Sequence, residues 1–242
     1  MRASVHDADV ESIESLTALN AEIGECRRCP RLVEWREAVA AEKRSAYRDW
    51  DYWGRPVPGF GDPDAAIYVL GLAPAAHGAN RTGRVFTGDR SGDWLFRAMH
   101  RAGLANQPTS NDREDGLELR DAYVGAAVRC APPGNKPTVE ERDSCVPFLR
   151  RELALLSRLK VIVVLGQFAY DVLARELAIR PKPRFGHGAE ADASMGDRRL
   201  RVVCSYHPSQ QNTFTGTLTE EMFDAVFTRS VALKSEGIGA DH

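Results

Sequence analysis

Four short runs of apolar and β-branched residues do most to limit the fold that this chain can adopt. Each run is continuous rather than alternating, which is typical of strands buried on both faces of a sheet. Stretches with helical periodicity separate the runs, and strands that alternate with helices predict an open parallel sheet with helices on both faces. The predicted strands are Ala65–Leu72, Ala122–Arg129, Lys160–Gly166 and Leu200–Tyr206.

Helical periodicity occurs between these strands and on both sides of them. The Thr138 and Glu141 pair is a capping-box pattern and predicts the start of one helix. The 242 residues suffice for one sizeable core, so we expect a single domain over residues 1–242, with mobile ends at 1–10 and 236–242. The predicted helices lie near residues 12–24, 30–44, 91–102, 138–157, 168–177 and 219–234.

Charge and hydropathy argue against a membrane protein and against a generally basic nucleic-acid binder. The net charge is -2 and the pI is about 6.3, so any contact with DNA must be local. No apolar run approaches the roughly 20 residues that a membrane span needs. The first 25 residues carry acidic groups and lack the apolar core of a secretory signal. We therefore expect a soluble, cytoplasmic protein with no membrane partner.

Five cysteines in a reducing compartment favour a metal or cluster site over a disulfide framework. Cys26 and Cys29 form a CxxC pair, whereas Cys130 and Cys145 lie on separate segments. Zinc, an iron-sulfur cluster and unligated core thiols all remain open on ligand chemistry. A cluster is favoured over zinc because a larger cubane bridges separate segments more easily. Cys204 lies within a predicted strand and is interpreted as a small buried hydrophobe.

Segments of unusual composition follow three of the four predicted strands. In open parallel sheets, ligands bind beyond the carboxyl ends of the strands. We therefore expect these segments to converge on one site. They read GLAPAAHGANRTGRVFTGD at residues 71–89, CAPPGNKP at residues 130–137 and HPSQQNTFTG at residues 207–216.

The first of these segments comes near the phosphate-binding pattern G-x4-G-K-S/T but lacks its functional residues. Arg84 and Val85 stand where the pattern requires a lysine and a hydroxyl, so we expect no nucleotide cofactor. The remaining loop is predicted to be flexible and to bring Arg81 or Arg84 close to a DNA phosphodiester. A solvated turn is the alternative interpretation.

Taken together, the three segments resemble the family 5 uracil-DNA glycosylases, and the likeness extends from about Cys26 to Leu233. The resemblance implies an α/β/α sandwich around a four-stranded parallel sheet. It also implies a 4Fe-4S cluster on Cys26, Cys29, Cys130 and Cys145. The expected activity is the removal of uracil, and of some other deaminated bases, from DNA in base excision repair.

Several side chains in these segments fit the binding of a base that has been flipped out of the duplex. Phe86 offers a stacking platform, with a core phenylalanine as the alternative. The resemblance assigns the Asn135 amide to the Watson-Crick edge of the base, whereas the residue type alone indicates a turn. Ala73, His77 and Asn80 are further candidates for the base pocket, and the two polar ones fit a loop surface equally well.

Loss of the base leaves negative charge on its ring and positive charge on the sugar. His207 is expected to donate a hydrogen bond to the departing base. In related branches a polar or acidic residue follows the first glycine of the first segment, whereas Leu72 stands there in this chain. The resemblance shifts the activation of water, and the stabilisation of the oxocarbenium-like sugar, to Asp89. Asp89 also fits a helix N-cap.

Four polar residues directly follow His207-Pro208 and are predicted to contact DNA. The last three of them are expected to wedge into the minor groove or to touch the orphaned partner base. The four are Ser209, Gln210, Gln211 and Asn212.

Substrate selection and the chemical outcome are also predicted. Related branches end the second strand with an asparagine that reads uracil, and Gly125, Ala126 and Ala127 stand here instead. We therefore hypothesise that the enzyme removes hypoxanthine in addition to uracil, and also xanthine or a damaged cytosine derivative. The predicted catalytic residues include no lysine, so we expect a monofunctional enzyme that hydrolyses without strand cleavage. The alternatives are a nucleotide-binding hydrolase and a non-catalytic iron-sulfur or zinc module, and a monomer is the default.

Overall fold

The computed structural model describes residues 15–236 and contains one mixed sheet of six strands in the order β1-β3-β2-β4-β6-β5. The four central strands are parallel, and an antiparallel strand closes each edge. The strands are β1 (Phe60–Gly61), β2 (Ile67–Gly71), β3 (Ala122–Ala126), β4 (Val161–Leu165), β5 (Glu190–Met195) and β6 (Arg198–Ser205).

The four predicted strands are confirmed as the parallel centre of the sheet. The two edge strands are additions that the sequence analysis did not foresee, because β1 has two residues and β5 reads Glu-Ala-Asp-Ala-Ser-Met without an apolar run. Strand β2 is buried along its whole length and pairs with β3 on one side and β4 on the other. Continuous apolar sequence is required at such a position, since both faces of the strand are covered.

The helices cover both faces of the sheet. Long helices agree with the predicted positions, whereas α3 and α7 are short helices within segments that were expected to be loops. The helices are α1 (Leu16–Gly24), α2 (Pro30–Glu42), α3 (Ala79–Thr82), α4 (Arg90–Arg101), α5 (Val139–Leu155), α6 (Gln167–Glu176), α7 (Gln210–Phe214) and α8 (Glu220–Ser235).

Alternation along β2 divides the core into two layers. Val69 packs with α4 and α8 through Phe96 and Phe227, and Leu70 on the opposite face packs with α5 and α6 through Leu149 and Leu173. This arrangement is the expected α/β/α sandwich. The capping box that begins α5 is also confirmed, because the Thr138 side chain accepts from the backbone N–H of Glu141 and the Glu141 carboxylate accepts from that of Thr138.

The predictions about the chain ends concern residues 1–10 and 236–242, of which only Glu236 lies among the described residues. A single domain over the whole chain stays a prediction. No helix within residues 15–236 combines the length and the apolar character that crossing a bilayer requires.

Candidate active site

A pocket of about 440 Å³ opens where β2, β3 and β6 end, at the carboxyl edge of the parallel strands. The segments that follow these strands line it, so the structure brings together residues that are far apart in the chain. Eight of the residues predicted to bind the base or DNA, or to catalyse the reaction, contribute to the lining: Ala73, Phe86, Asp89, Asn135, His207, Ser209, Gln210 and Gln211.

Phe86 forms one wall of the pocket and is held in an unusual backbone conformation. Its φ of 53° lies in the left-handed region, and 9% of the residue is exposed. Gly71 at the end of β2 makes room for the ring, since a Cβ there would lie 2.7 Å from the Cε2 and Cζ atoms of Phe86. Gly92 is equally constrained, because its Cβ would lie 1.8 Å from the Phe86 carbonyl oxygen.

Asp89 is the N-cap of α4. Its Oδ1 accepts a hydrogen bond of 3.0 Å from the backbone N–H of Gly92. A Cβ on Gly78 would lie 2.1 Å from Asp89 Oδ2, so only glycine allows the carboxylate this position. Burial raises the pKa of Asp89 above its usual range, and the hydrogen bonds from the Gly92 and Ser91 backbone act against that shift. The carboxylate is therefore both a helix cap and a desolvated group at the pocket wall.

His207 follows β6 and faces Phe86 across the pocket, with 5.9 Å between the ring centres. Burial lowers the pKa of His207 to about 4, so the imidazole is neutral at pH 7. The Asn212 side chain donates to the His207 carbonyl oxygen at 2.8 Å. Asn212 is not part of the pocket lining, and what it contacts is the backbone that carries His207.

Asn135 lies on the exposed rim of the pocket, in the short 3-10 turn Pro133–Asn135. The backbone turns sharply here, since Gly134 has a φ of 59° and Asn135 a φ of 57°. Asparagine tolerates this left-handed conformation better than most residues. The turn therefore presents an amide side chain at the pocket mouth.

The loop after β2 is not the flexible loop that the sequence predicts, because Arg81 lies within α3 and is 3% exposed. Its Nε donates to the His77 carbonyl oxygen and its Nη2 to that of Gly88, each at 2.9 Å. The guanidinium also lies 4.0 Å from the ring centres of both Tyr47 and Trp50. Arg81 thus ties the two ends of the loop together instead of projecting toward a phosphodiester.

Arg84 is likewise buried, with 6% of the residue exposed. Its Nη2 donates to the Asp115 carboxylate and to the Ser110 hydroxyl, each at 2.8 Å. The prediction that Arg81 or Arg84 approaches a DNA phosphodiester is therefore wrong, because both side chains are buried. Burying a guanidinium is favourable only when its donors are satisfied, and here the Thr87 hydroxyl and the Arg113 carbonyl oxygen accept from the remaining nitrogens.

His77 and Asn80 are not among the residues that line the pocket, which corrects their predicted place beside the base. Asn80 is fully buried and donates to the Arg36 carbonyl oxygen at 3.2 Å. His77 Nδ1 lies 3.1 Å from the Tyr52 hydroxyl, and burial lowers the pKa of His77. Both side chains therefore contact other parts of the protein rather than the pocket.

The sequence analysis missed two residues at the pocket rim. Arg90 lines the pocket, and its guanidinium lies 4.3 Å from the ring centre of Phe214, which is 68% exposed. The only available signal was an aromatic residue within the otherwise polar segment HPSQQNTFTG. A solvent-facing aromatic ring at the mouth of a pocket is suited to stacking or to insertion between bases.

The four predicted cluster ligands lie around one small core formed by α1, α2 and α5. Burial raises the pKa of Cys130 to about 11 and that of Cys145 to about 12, and it outweighs the opposing effects of Arg36 and Arg129. As placed, no three His, Cys, Asp or Glu side chains within residues 15–236 stand close enough together to hold a metal ion.

The surroundings of these sulfurs nevertheless suit a group that bears negative charge. Arg36 is 1% exposed and donates to Cys130 Sγ at 3.0 Å and to the Cys26 carbonyl oxygen at 3.3 Å. The backbone N–H of Arg129 donates to Cys145 Sγ at 3.3 Å. A buried guanidinium and an N–H group beside the sulfurs act against the effect of burial and stabilise negative charge there, so the donor set fits a thiolate-bound cluster.

Comparison with known proteins agrees with this geometry. The family model of the uracil DNA glycosylase superfamily matches residues 58–229, which include all six strands and the pocket. Fold, site and match define an enzyme of the uracil-DNA glycosylase class, which hydrolyses N-glycosyl bonds.

Close relatives narrow the class further. The type-5 uracil-DNA glycosylase of Mycobacterium tuberculosis (strain CDC 1551 / Oshkosh) is 54% identical over 90% of this chain and 82% of its own length. That of Mycobacterium leprae (strain TN) is 53% identical over 88% of this chain and 93% of its own. The type-5 uracil-DNA glycosylase of Thermus thermophilus is 50% identical over 87% of this chain and 91% of its own length. The chain belongs to the type-5 uracil-DNA glycosylases, which confirms the resemblance and rejects both alternative functions.

Proposed function

We propose that this enzyme flips uracil out of DNA and hydrolyses the N-glycosidic bond beneath it, as the first step of base excision repair. The convergence of Phe86, Asp89, Asn135 and His207 on one pocket of about 440 Å³ carries the proposal. Extrusion of a base costs a few kcal/mol, and stacking on the Phe86 ring recovers about 1 to 3 kcal/mol.

Departure of the base requires a donor that is in place before charge develops. A neutral His207 meets this requirement, because its lowered pKa keeps the imidazole uncharged while one ring N–H remains available. That N–H donates to the ring oxygen on which negative charge accumulates. Removal of one such donor costs about 2.7 to 4 kcal/mol in comparable sites.

Asp89 supplies the complementary negative charge. Its cap interaction with Gly92 keeps the carboxylate at the wall of the pocket, where a water can lie between it and the sugar. Water attacks C1′ as the bond to the base breaks, Asp89 accepts a proton from that water, and the base leaves with the bonding electron pair. The same carboxylate stabilises the positive charge on the sugar.

Asn135 is proposed to read the edge of the base from the pocket mouth. Strand β3 offers no second reader at Gly125, because a Cβ there would lie 2.0 Å from the Tyr68 hydroxyl oxygen. A site with a single amide reader rejects other deaminated bases weakly. We therefore propose that hypoxanthine, and further xanthine or a damaged cytosine, is removed beside uracil.

DNA around the flipped nucleotide is proposed to contact the rim formed by Ser209, Gln210, Gln211, Arg90 and Phe214. Ser209 caps α7, accepting from the backbone N–H of Asn212, so it holds this short helix at the pocket mouth. Gln210 and Gln211 are exposed and line the pocket. The exposed ring of Phe214 is suited to fill the gap that the extruded base leaves in the stack.

The four cysteines are proposed to hold a 4Fe-4S cluster that joins α1, α2 and α5 to the end of β3. The support is the chemistry of the donor set: Cys26, Cys29, Cys130 and Cys145 lie around one core and have N–H donors beside the two buried sulfurs. When bound, such a group would supply cross-linking between segments rather than chemistry at the pocket. Cys204 lies in β6, away from this core.

The deciding experiment measures base release from duplexes that each carry one lesion. Release of free uracil, with hypoxanthine next in rate, is the expected outcome, and release of uracil alone would contradict the broader substrate proposal. No covalent adduct should be trapped by borohydride. Lys136 is the lysine next to Asn135, although it does not line the pocket. A trapped adduct that is lost in a Lys136→Ala variant would identify this amine as a nucleophile and would overturn the hydrolytic mechanism.

A further inference from the structure

We propose that Thr87 and Ser110 are positioning residues of the hydrolytic reaction, which hold the backbone that carries Asp89. Ser110 belongs to the connection between α4 and β3, residues 102–121, and is not among the residues that line the pocket. The Thr87 and Ser110 side chains are fully buried, and their hydroxyl oxygens lie 2.6 Å apart, so one donates to the other. The inference rests on the proposed role of Asp89 as the group that accepts a proton from water.

Ser110 also holds the main chain immediately before Asp89. Its carbonyl oxygen accepts from the backbone N–H of Gly88 at 2.8 Å. Gly88 has a φ of 75°, in the left-handed region, and its own carbonyl oxygen accepts from Arg81 Nη2 at 2.9 Å. The peptide groups on both sides of Gly88 are therefore held by hydrogen bonds to side chain or backbone of other segments, and Asp89 follows directly.

Arg84 joins the two hydroxyl groups into one buried network. Its Nε donates to Thr87 Oγ1 at 3.0 Å, and its Nη2 donates to Ser110 Oγ at 2.8 Å. Hydrogen bonds from a charged donor are stronger than those between neutral groups. Removal of the Thr87 hydroxyl would leave a guanidinium N–H and the Ser110 hydroxyl without this partner in a buried place, which is costly. The network therefore resists displacement of Thr87.

Asp115 fixes the segment that presents Ser110. Its Oδ1 accepts from Arg84 Nη2 at 2.8 Å and from the backbone N–H of Leu117 at 3.1 Å. Its Oδ2 accepts from the backbone N–H of Asn111 at 2.7 Å. One carboxylate thus closes the turn after Ser110 and also neutralises the guanidinium. The position of Ser110 is consequently set by contacts within the protein, away from the pocket.

Placement of the Asp89 carboxylate matters because it has to reach a water beside the sugar. The cap interaction with Gly92 fixes the side chain, and the network fixes the backbone that precedes it. A small misplacement of a catalytic group can lower a rate by about a hundredfold. The Phe86 ring, in contrast, lies against Gly71, outside the network. Loss of the network should therefore affect the chemical step more than the binding of the base.

The test is Thr87→Val, which removes the hydroxyl and nearly keeps the shape of the side chain. We expect kcat for uracil release to fall about ten- to a hundredfold, with little change in KM or in the binding of uracil-containing duplex. Thr87→Ser keeps the hydroxyl and should restore most of kcat. Thr109→Val is the matched control, because it makes the same change at an exposed position next to Ser110. This control should have the kcat of the unchanged protein.

A double-mutant cycle with Asp89→Asn distinguishes positioning of Asp89 from a general structural role. In the Asp89→Asn background, Thr87→Val should lower the single-turnover rate further by less than about twofold. If Thr87→Val melts below the assay temperature, Ser110→Ala takes its place in the cycle.

Three results would overturn the positioning role: an equal loss of rate in both backgrounds, a normal kcat in Thr87→Val, or a loss in Thr87→Ser as large as that in Thr87→Val. Full activity of Asp89→Asn alone would instead overturn the proposed role of Asp89. The two failures are therefore distinguishable.

Discussion

The rings of Phe86 and His207 lie 5.9 Å apart, with their planes tilted by 32°, although about 120 residues separate them in the chain. One ring belongs to the segment after β2 and the other to the segment after β6, on either side of β4 in the sheet. The two rings therefore contact each other, and both line the pocket at the carboxyl edge. A flipped base in this pocket would stack on the Phe86 ring and accept a hydrogen bond from the imidazole.

Gly71→Ala tests the position of the Phe86 ring. The new methyl group would lie 2.7 Å from two ring atoms, so the ring must move and lose the stacking contact. That contact is worth about 1 to 3 kcal/mol, which predicts a fall of roughly five- to 150-fold in kcat/KM for uracil release. Gly186→Ala is the control, because it meets nothing within 4 Å, and an equal effect there would contradict the prediction.

Asp89→Asn separates the two roles of Asp89. Asparagine caps a helix about as well as aspartate, so α4 and the thermal stability should be retained. The variant has no anionic base to accept a proton from water, and we expect kcat to fall about a hundredfold or more. Binding to uracil-containing duplex, measured by anisotropy, should change little. Full activity in Asp89→Asn would show that Asp89 serves only as a cap.

The lowered pKa of His207 makes a prediction about stability at acidic pH. Unfolded histidine binds a proton below about pH 6.5, whereas folded His207 stays neutral to about pH 4. The contribution of neutral His207 to the free energy of unfolding is therefore fully present above pH 6.5 and is lost as the pH falls from 6.5 toward 4. Denaturant unfolding should show that the free energy of unfolding falls more steeply between pH 6.5 and pH 4 in the unchanged protein than in His207→Gln. Parallel curves would contradict the pKa assignment.

Cysteine variants test the cluster. Reconstitution with iron and sulfide under anaerobic conditions should give the visible absorption of an iron-sulfur cluster and four irons per chain. Cys145→Ser should lose iron and melt at a lower temperature, because the cluster joins α5 to α1 and α2. Cys204→Ser is the control, since Cys204 lies in a different part of the core. Binding of one zinc per chain without iron would refute the proposal.

Arg81→Lys tests the two hydrogen bonds by which Arg81 joins the His77 and Gly88 ends of the loop after β2. An ammonium cannot donate to His77 and Gly88 at once in the geometry of the guanidinium fork, so at least one buried carbonyl loses its partner. Each such loss costs about 1 to 3 kcal/mol of stability. Uracil release should fall with a larger effect on kcat than on KM, because Asp89 follows Gly88. Arg48→Lys is the control, because Arg48 is exposed; it should change neither the stability nor the rate of uracil release.

The sequence predicts the central strands well because their burial on both faces is visible as uninterrupted apolar residues. It misses β5, where Ala191 is buried beside exposed Asp192 and an edge position demands little of the sequence. It also misses the role of Asn212, which contacts the His207 backbone rather than DNA. Both partners are near in the chain, since β6 follows β5 directly and His207 lies five residues before Asn212. Neither feature is visible in the composition, because mixed polar residues occur in edge strands, loops and surfaces alike.

By itself, the sequence determined that the strands are parallel and that three polar segments follow them, and therefore that one edge of the sheet holds the site. Local periodicity and chain order suffice for this, since carboxyl ends of parallel strands meet at one edge. Only the tertiary structure decided which basic residues face solvent. Arg81 is buried between the rings of Tyr47 and Trp50, which come from another segment, and donates to carbonyls of its own loop, whereas Arg90 faces the pocket. Desolvation of a charge depends on partners that folding alone assembles.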